Sequence, residues 1–296
     1  MYLELKNLCK NFGEKEVLNN ISFSAQGGKA FGLLGRNGAG KTTTIRILMN
    51  VFPPNSGEVL IDGKLIDYSK ISMGYLPEER GLYPKKKIID QLLYFAKLKG
   101  MSHSTAVKSV DYWLDRLNMT EHRNKRLDTL SKGNQQKIQL ITAIAHNPDI
   151  IILDEPFSGL DPVNAMLLKD VVKEEISAGK IVLLSSHQMN YIEEFCDNVA
   201  ILNDGKIALQ GDLHKIKRNY KRDTLVIRST KIRQIIEENS FDFKLINDDE
   251  ITVKLSSPDM KQRVMQDLTQ KYDIDEIKVF EPSLNDIFVE YAGAEK

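Results

Sequence analysis

The chain has 296 residues, enough for two domains or one large one, and its 42% hydrophobic and 28% charged residues are typical of a globular protein. Its formal net charge is zero, which excludes an overall electrostatic field that would favour binding to nucleic acid or to an anionic membrane. Uninterrupted apolar runs reach only a few residues, whereas a membrane-spanning helix needs roughly 20, and the N-terminal sequence lacks the apolar core of a secretory signal.

The first half of the chain predicts paired strands, a strand–helix transition and a helical region. Residues 1–25 alternate apolar and polar with a turn near Gly13, which predicts two paired strands. KAFGLLG (29–35) predicts a buried strand, KTTTIRILMN (41–50) a helix, and GEVLIDGKLI (57–66) a hairpin that turns at Asp62 and Gly63. From about 88 to 147, apolar residues recur at spacings of three and four, which predicts helices.

Two strongly apolar segments in the second half predict a buried β-α-β unit. DIIILDEP (149–156) and KIVLLSSH (180–187) are typical of strands that are buried on both faces. The segment between them, 162–179, has the pattern of a connecting helix. Such a connection joins parallel strands of one sheet.

The C-terminal part predicts a separate small domain. The basic stretch KIKRNYKR (215–222) is interpreted as a junction. Beyond it, the order strand, helix, strand, strand, helix, strand over 224–280 favours a ferredoxin-like unit, followed by a short helix from Pro282. Residues 223–296 contain 10 Lys and Arg and 16 Asp and Glu, a net charge of −6 that argues against a nucleic-acid partner.

A glycine-rich segment connects the buried strand at 29–35 to its helix. GRNGAGKT (35–42) fits the pattern G-x-x-x-x-G-K-[ST], whose glycines let successive backbone N–H groups point at phosphate oxygens. The positive end of the helix dipole adds to this cradle. We expect Lys41 to reach the β- and γ-phosphates, Thr42 to ligate Mg²⁺ and Thr43 to donate to phosphate. A turn that only caps a helix would share the pattern, but the strand–turn–helix context favours a nucleotide.

Three polar side chains follow the two predicted buried strands. Asp154 and Glu155 end the first, at the carboxyl end of a parallel strand that we expect to neighbour the strand of the cradle. Asp154 is predicted to hold Mg²⁺ and Glu155 to act as the general base on the attacking water. His187 follows the second strand and is predicted to contact the γ-phosphate or that water. Strand-end acids and lone histidines are also common as purely structural residues.

Taken in chain order, these segments resemble the motifs of ABC ATPases, the ATP-binding subunits of ATP-binding-cassette transporters. The resemblance covers about residues 1–215. Its motifs are the adenine-stacking aromatic Phe12, the Walker A GRNGAGKTT (35–43), the Q-loop in GYLPEER (74–80), the signature LSKGNQQK (130–137), the Walker B IIILDEP (150–156), the D-loop SGLD (158–161) and the switch histidine His187. It implies an α/β fold with a P-loop NTPase core, an antiparallel β subdomain and a helical subdomain at about 88–147. The small α+β domain at 223–296 completes the expected fold.

The resemblance also assigns roles to individual residues. It implies catalytic roles for Lys41, Glu155 and His187, and Mg²⁺ ligation by Thr42, Glu78 and Asp154. The residues expected to bind ATP are Phe12, Gly35, Arg36, Asn37, Gly38, Ala39, Gly40, Lys41, Thr42, Thr43, Glu78, Ser131, Gly133, Asn134 and Asp161.

The signature explains why the chain carries a second anion-binding pattern. In ABC ATPases two subunits pack head to tail, and each ATP lies between the Walker A of one subunit and the signature of the other. The resemblance therefore implies that Ser131 and the amide of Gly133 contact the γ-phosphate held by a second ATP-binding subunit, in a homodimer or a heterodimer. Ser131 also fits a plain helix N-cap.

Two positions depart from the family pattern. The usual signature is Leu-Ser-Gly-Gly-Gln, whereas Lys132 and Asn134 replace a glycine and the glutamine here. The usual glutamine of the Q-loop is Glu78, which can ligate Mg²⁺ but adds negative charge beside the phosphates. We expect a working but slower site.

The segments GYLPEERGLYP (74–84) and EPSLNDIFVEYAG (281–293) resemble the branch that contains sodium-efflux (NatA-like) and drug-resistance exporters. This implies a subunit that couples ATP-driven dimer closure to export through separate transmembrane permease subunits, which dock around residues 79–87. Because the two cysteines lack metal-site spacing, we expect reduced thiols in a cytoplasmic protein, peripheral on the inner face of the membrane.

Other functions are less consistent with the sequence. A P-loop GTPase should carry an Asn-Lys-x-Asp base reader, which is absent, and a kinase has no use for a signature or D-loop. A soluble ABC ATPase of translation usually carries two cassettes in one chain, and one of DNA repair inserts a coiled coil longer than 78–131. An importer subunit would share every core motif, so only the branch resemblance and the C-terminal domain favour export.

Overall fold

The computed structural model describes residues 1–79, 81–220 and 223–292, and these form two compact units. Among the described residues, the first unit comprises Met1–Leu213 together with residues 288–292, and the second comprises His214–Ile287. Elements up to residue 213 are β1 (Tyr2–Phe12), β2 (Lys15–Gln26), β3 (Lys29–Gly35), α1 (Lys41–Leu48), β4 (Ser56–Ile61), β5 (Lys64–Leu65), β6 (Met73–Leu76), α2 (Ile88–Leu98), α3 (His103–Arg116), α4 (Lys132–Ile144), β7 (Ile150–Asp154), α5 (Pro162–Ser177), β8 (Ile181–Ser185), α6 (Met189–Phe195), β9 (Cys196–Asn203) and β10 (Lys206–Asp212). The remaining elements are α7 (Leu213–Asn219), β11 (Thr224–Arg228), α8 (Ile232–Glu238), β12 (Asp242–Asn247), β13 (Glu250–Lys254), α9 (Lys261–Lys271), β14 (Glu276–Val279) and α10 (Leu284–Ala292).

A six-stranded sheet forms the centre of the first unit, in the order β10-β9-β3-β8-β7-β6. The five strands from β9 to β6 are parallel, and β10 is antiparallel at one edge. Every residue of β7 and β8 is buried, as their continuous apolar sequence requires. The predicted β-α-β unit, with α5 as its connecting helix, is confirmed.

The order of the strands corrects one expectation. Asp154 and Glu155 were expected on the strand next to the strand of the glycine-rich loop, but β8 lies between β3 and β7. Ser185 of β8 is in register with Leu33 of β3 on one side and with Asp154 of β7 on the other. The acidic pair and the loop therefore lie at the same edge of the sheet, two strands apart. Order within a parallel sheet depends on long-range packing, which a local sequence pattern does not encode.

A smaller antiparallel sheet, in the order β2-β1-β4-β5, packs on the same core through buried residues such as Leu3, Leu18 and Val59. The predicted hairpin is confirmed between β4 and β5. Its two turn residues, Asp62 and Gly63, have φ values of 49° and 77°, the positive angles that a tight two-residue hairpin turn requires.

The predicted helical region contains α2, α3 and α4. Ser102 caps α3 by accepting from the amide of Thr105 at 3.2 Å, and α3 buries Trp113, which is 8% exposed. Ser131 caps α4 in the same way, by accepting from the amide of Asn134 at 3.3 Å. Over the described ranges, no helix is both long and apolar enough to cross a membrane.

The second unit is built around an antiparallel sheet in the order β12-β13-β11-β14. With α8 and α9 connecting the strands, this is the β-α-β-β-α-β arrangement of a ferredoxin-like unit, as predicted. Its core includes Leu225, Ile235 and Leu268. The stretch interpreted as a junction is helical in α7 up to residue 219, and its residues 221 and 222 lie outside the described part of the chain.

Candidate functional site

The glycine-rich loop leaves β3 at Gly35 and enters α1 at Lys41. Gly40, the residue before the helix, has φ of 112°, a conformation that side-chain-bearing residues rarely adopt. A Cβ atom at Gly40 would lie 2.5 Å from Cδ2 of Leu18, so the loop needs glycine there for space as well as for backbone conformation. At Gly38 φ is 83° but nothing lies within 4 Å of a Cβ atom, so that position faces open space.

The side chain of Lys41 folds back over this loop. Its Nζ atom donates to the carbonyl oxygen of Gly35 at 2.7 Å and to that of Arg36 at 3.2 Å. Burial lowers the pKa of Lys41, while the negative charges of Asp154, Glu155 and Glu78 act in the opposite direction. The predicted phosphate-binding lysine therefore shares one electrostatic neighbourhood with the three predicted acids. The loop residue Asn37 and the hydroxyl-bearing Thr42 are exposed, and Thr43 is half-buried.

Asp154 ends β7 with 6% of the residue exposed. Burial is the main cause that raises the pKa of this carboxyl, and the charges of Glu78 and Glu155 raise it further. The Ser185 hydroxyl and Lys41 oppose that rise. Glu78 itself is exposed and comes two residues after β6, the strand beside β7. The charges of Asp154 and Glu78, which follow neighbouring strands of the sheet, thus act on the lysine of the loop.

Glu155 is held in an unusual backbone conformation. Its φ is 51°, in the left-handed region that residues other than glycine seldom adopt, and its amide donates to the carbonyl oxygen of Ser185 at 2.8 Å. The side chain is buried, with 6% of the residue exposed. Its carboxylate accepts from the Ser186 hydroxyl at 2.9 Å and from the backbone amide of His187 at 2.6 Å.

The imidazole of His187 lies against the same carboxylate. Its Nδ1 atom is 2.7 Å from Oε1 of Glu155, and its side chain is 67% exposed. The structure therefore brings the predicted base and the predicted switch histidine into direct contact.

Phe12 lies near the end of β1 and is 49% exposed. Its ring meets that of Phe52 edge to face, with centroids 5.5 Å apart. The Nζ atom of Lys10 lies 5.4 Å from the Phe12 centroid and donates to the carbonyl oxygen of Pro53 at 2.6 Å. An exposed aromatic ring held by a second ring offers a stacking surface for a planar base. Phe52 was not singled out in the sequence, since an aromatic residue after a helix carries no distinctive pattern.

The signature residues contact a different part of the chain. Gly133 is buried, and a Cβ atom there would lie 3.2 Å from the side-chain amide of Asn164 at the start of α5. Asp161 of the D-loop caps α5 by accepting from the backbone amide of Asn164 at 3.0 Å. Ser131 is exposed and Asn134 is half-buried. The structure thus groups Ser131, Gly133 and Asn134 with the D-loop, and groups Lys41, Glu78, Asp154, Glu155 and His187 at the sheet edge.

A hydrogen bond from α4 reaches the segment that carries Glu155. The side-chain amide of Gln136, in the second turn of α4, donates to the carbonyl oxygen of Pro156 at 3.2 Å. Pro156 directly follows Glu155. Gln136 belongs to the signature segment, but the sequence predicts no contact for it, because its partner is 20 residues away.

Comparisons with known proteins agree with this geometry. A family model described as ABC transporter matches residues 18–158, and one described as the C-terminal domain of DrrA1-3-like ATP-binding proteins matches residues 211–292. YhaQ of Bacillus subtilis (strain 168), named as an uncharacterized ABC transporter ATP-binding protein, is 42% identical over 99% of each chain.

Two further relatives have more specific names. The linearmycin resistance ATP-binding protein LnrL of Bacillus subtilis (strain 168) is 32% identical over 76% of this chain and 73% of its own. The Nod factor export ATP-binding protein I of Burkholderia lata is 31% identical over 72% of each chain. A solved structure of the ATP binding subunit of an ABC transporter matches 74% of this chain and 93% of its own, with a TM-score of 0.68 and 29% identity.

Proposed function

The chain belongs to the ABC transporter ATP-binding proteins, and from this premise we propose that it is the ATPase subunit of an exporter whose transport path is formed by separate membrane proteins. Two relatives with the printed roles of linearmycin resistance and Nod factor export support the outward direction. The match of the C-terminal part to the DrrA1-3-like domain supports the same branch. The observation that carries the catalytic part is the convergence of Lys41, Asp154 and Glu155 at one sheet edge.

ATP binds with its phosphates in the loop of residues 35–43. Backbone amides of the loop and of the first turn of α1 donate to phosphate oxygens, and the dipole of α1 favours their negative charge. Lys41 exchanges its two carbonyl contacts for the β- and γ-phosphates. The adenine stacks on Phe12, whose plane is supported by Phe52.

Mg²⁺ fits the oxygen ligands at this edge. Thr42 and Glu78 are exposed, and Asp154 lies within electrostatic range of Glu78. Across the described residues no three His, Cys, Asp or Glu side chains converge closely enough to hold a metal ion alone, so the protein would supply only part of the coordination. Mg²⁺ is commonly held by one or two carboxylates together with nucleotide phosphates. When bound, it would neutralise charge on the β- and γ-phosphates.

Glu155 acts as the general base of hydrolysis. It takes a proton from water as the water oxygen bonds to the γ-phosphorus. The bond from that phosphorus to the oxygen shared with the β-phosphate breaks, and the electron pair leaves with ADP. Lys41 stabilises negative charge on the transferred phosphoryl oxygens, and the ring of His187 contacts these oxygens or the attacking water.

The signature serves the ATP of a second ATP-binding subunit. Ser131 and the amide of Gly133 lie at the positive end of α4, next to Asp161 of the D-loop. Two subunits packed head to tail would each complete the other's site, so the γ-phosphate bridges them and its hydrolysis releases them. The free energy of ATP binding between the two subunits, which favours the closed dimer, thereby moves the membrane subunits.

The permease subunits dock around residues 79–87, where α2 begins; Arg80 of this segment lies outside the described residues. In this proposal the chain is a peripheral subunit on the cytoplasmic face of the membrane. The role of residues 223–296 as an accessory domain belongs to the same proposal.

The test is a native pull-down of the chain from detergent-solubilised membranes, with the co-purifying proteins identified by mass spectrometry. We expect a polytopic membrane protein in stoichiometric amount. Recovery of a dimer with ribosomes or DNA-repair proteins, and no membrane protein, would contradict the transport proposal but leave the ATPase assignment intact.

A further inference from the structure

The carboxylate of Glu155 accepts two hydrogen bonds from one loop and lies against the imidazole of His187. The backbone amide of His187 and the Nδ1 atom of His187 both approach Oε1, at 2.6 Å and 2.7 Å. The hydroxyl of Ser186 donates to Oε2 at 2.9 Å. The two oxygens are therefore in different surroundings, and only Ser186 contacts Oε2 among the contacts of the described residues.

We propose that Ser186 is a positioning residue for ATP hydrolysis, which holds the carboxylate of Glu155 in the orientation that receives the proton of the attacking water. This inference rests on the proposed role of Glu155 as the general base. It adds a residue that the resemblance to ABC ATPases did not single out, although Ser186 lies in the segment LLSSHQ beside the switch histidine.

The two hydrogen bonds leave room for the attacking water. An ionised carboxylate offers about four acceptor sites, two on each oxygen. The amide of His187 fills one site of Oε1 and the hydroxyl of Ser186 fills one site of Oε2. Each oxygen keeps a site that accepts from water, while the two hydrogen bonds fix the orientation of the carboxylate.

The two side chains that contact the carboxylate differ in burial. The side chain of His187 is 67% exposed, so its ring is free to leave for a phosphate, whereas Ser186 is only 3% exposed. The amide of Gln188 donates to Oγ of Ser186 at 3.0 Å and so leaves the hydroxyl hydrogen directed at Glu155. The backbone at Glu155, with φ of 51°, is in a sparsely populated conformation and benefits from an external anchor. Ser186 is the buried side chain that supplies this anchor.

The first experiment compares Ser186→Ala with Ser186→Thr in steady-state ATP hydrolysis by the full chain. For Ser186→Ala we expect kcat to fall about 10- to 100-fold, the range for losing one hydrogen bond to a charged group, with KM for ATP within about twofold of wild type. Ser186→Thr retains the hydroxyl and should recover most of the lost kcat. The control is Ser229→Ala, which removes an equally buried hydroxyl, a donor to the carbonyl oxygen of Asp273 in the second unit.

A double-mutant cycle with Glu155→Gln separates positioning from a general loss of structure. If Ser186 acts through Glu155, adding Ser186→Ala to Glu155→Gln lowers single-turnover phosphate release by less than about twofold. A full 10-fold further loss would overturn the proposal, as would wild-type kcat in Ser186→Ala. Near wild-type hydrolysis by Glu155→Gln alone would instead refute the general base, and the positioning role with it. A slow Glu155→Gln beside a fully active Ser186→Ala would refute only the role of Ser186.

Discussion

The ammonium group of Lys41 lies 2.7 Å from the carbonyl oxygen of Gly35, six residues earlier in the chain. Two backbone oxygens of the loop, those of Gly35 and Arg36, thus compete with phosphate oxygens for this one cation. A phosphate carries a full negative charge where a carbonyl carries only a dipole, so the nucleotide wins the competition. The lysine is poised within its own loop and has a short distance to move.

Lys41→Ala removes this cation and should abolish most nucleotide binding. Losing a charge-assisted contact to phosphate predicts an affinity for ATP that is about 10- to 100-fold weaker or worse. Titration with a fluorescent ATP analogue measures the change. Lys64→Ala, at an exposed position of β5, is the control and should bind like wild type. Wild-type affinity in Lys41→Ala would refute the phosphate cradle.

Glu155→Gln should keep ATP binding and lower turnover by about 10²- to 10⁴-fold, because the amide cannot accept the proton of water. With ATP bound and not hydrolysed, the dimer should remain closed. Phosphate release measures the first effect, and size-exclusion chromatography with ATP measures the second. Hydrolysis at close to the wild-type rate would remove Glu155 from the mechanism.

Gly40→Ala and Gly38→Ala form a matched pair in the glycine-rich loop. Both positions have positive φ, but only at Gly40 would the new methyl group lie 2.5 Å from Leu18. We expect the free energy of unfolding to fall by about 1 kcal/mol for Gly38→Ala and by about 2–4 kcal/mol for Gly40→Ala. Urea denaturation measures both. Equal losses would mean that the contact with Leu18 does not constrain the loop.

His146 should make the first unit sensitive to mild acid. Its Nε2 atom lies 3.1 Å from the carbonyl oxygen of Met73, and burial lowers its pKa from 6.5 to about 4, with the charges of Lys99 and Lys180 acting in the same direction. Above pH 6.5 the ring is neutral in both the folded and unfolded states. As the pH falls from 6.5 to 4 only the unfolded state gains a proton, so stability is lost by about 2–3 kcal/mol.

His146→Gln keeps a donor for Met73 but does not titrate. Urea denaturation at pH 7 and at pH 4.5 measures the free energy of unfolding of both proteins. The loss of stability that comes from His146 should appear in wild type and not in the variant. Parallel curves for the two proteins over this range would contradict the assignment.

The strands at the centre of the fold were predictable because their signals are local. Residues 150–153 are all apolar, and a strand buried on both faces needs nothing else. β6 was not predicted, since it has four residues with Gly74 among them. Only glycine fits at this position, because a Cβ atom there would lie 2.0 Å from the carbonyl oxygen of Ala143 in α4. A close approach of two distant segments has no local sequence pattern.

In the candidate site, too, local signals were predictable and long-range contacts were not. Lys41, Asp154 and Glu155 each lie in a short run of consecutive residues whose pattern indicates nucleotide binding or hydrolysis. Their arrangement around one edge of the sheet depends on the strand order, in which β8 lies between β3 and β7, and no local pattern predicts that order. Ser185 and Ser186 are identical in the sequence, and only the fold distinguishes them. The pleat of β8 and the bend after it direct the hydroxyl of Ser186 to Glu155 and leave that of Ser185 beside Asp154.

The burial of Trp113 gives the chain an internal optical probe. It is the single tryptophan of the sequence, and it lies in α3 of the first unit. Its fluorescence therefore reports melting of the first unit alone, whereas the far-ultraviolet circular dichroism signal sums over both units. Superimposable denaturation curves from the two signals would mean that the ferredoxin-like unit unfolds together with the nucleotide-binding unit, and separated curves would give each unit its own midpoint.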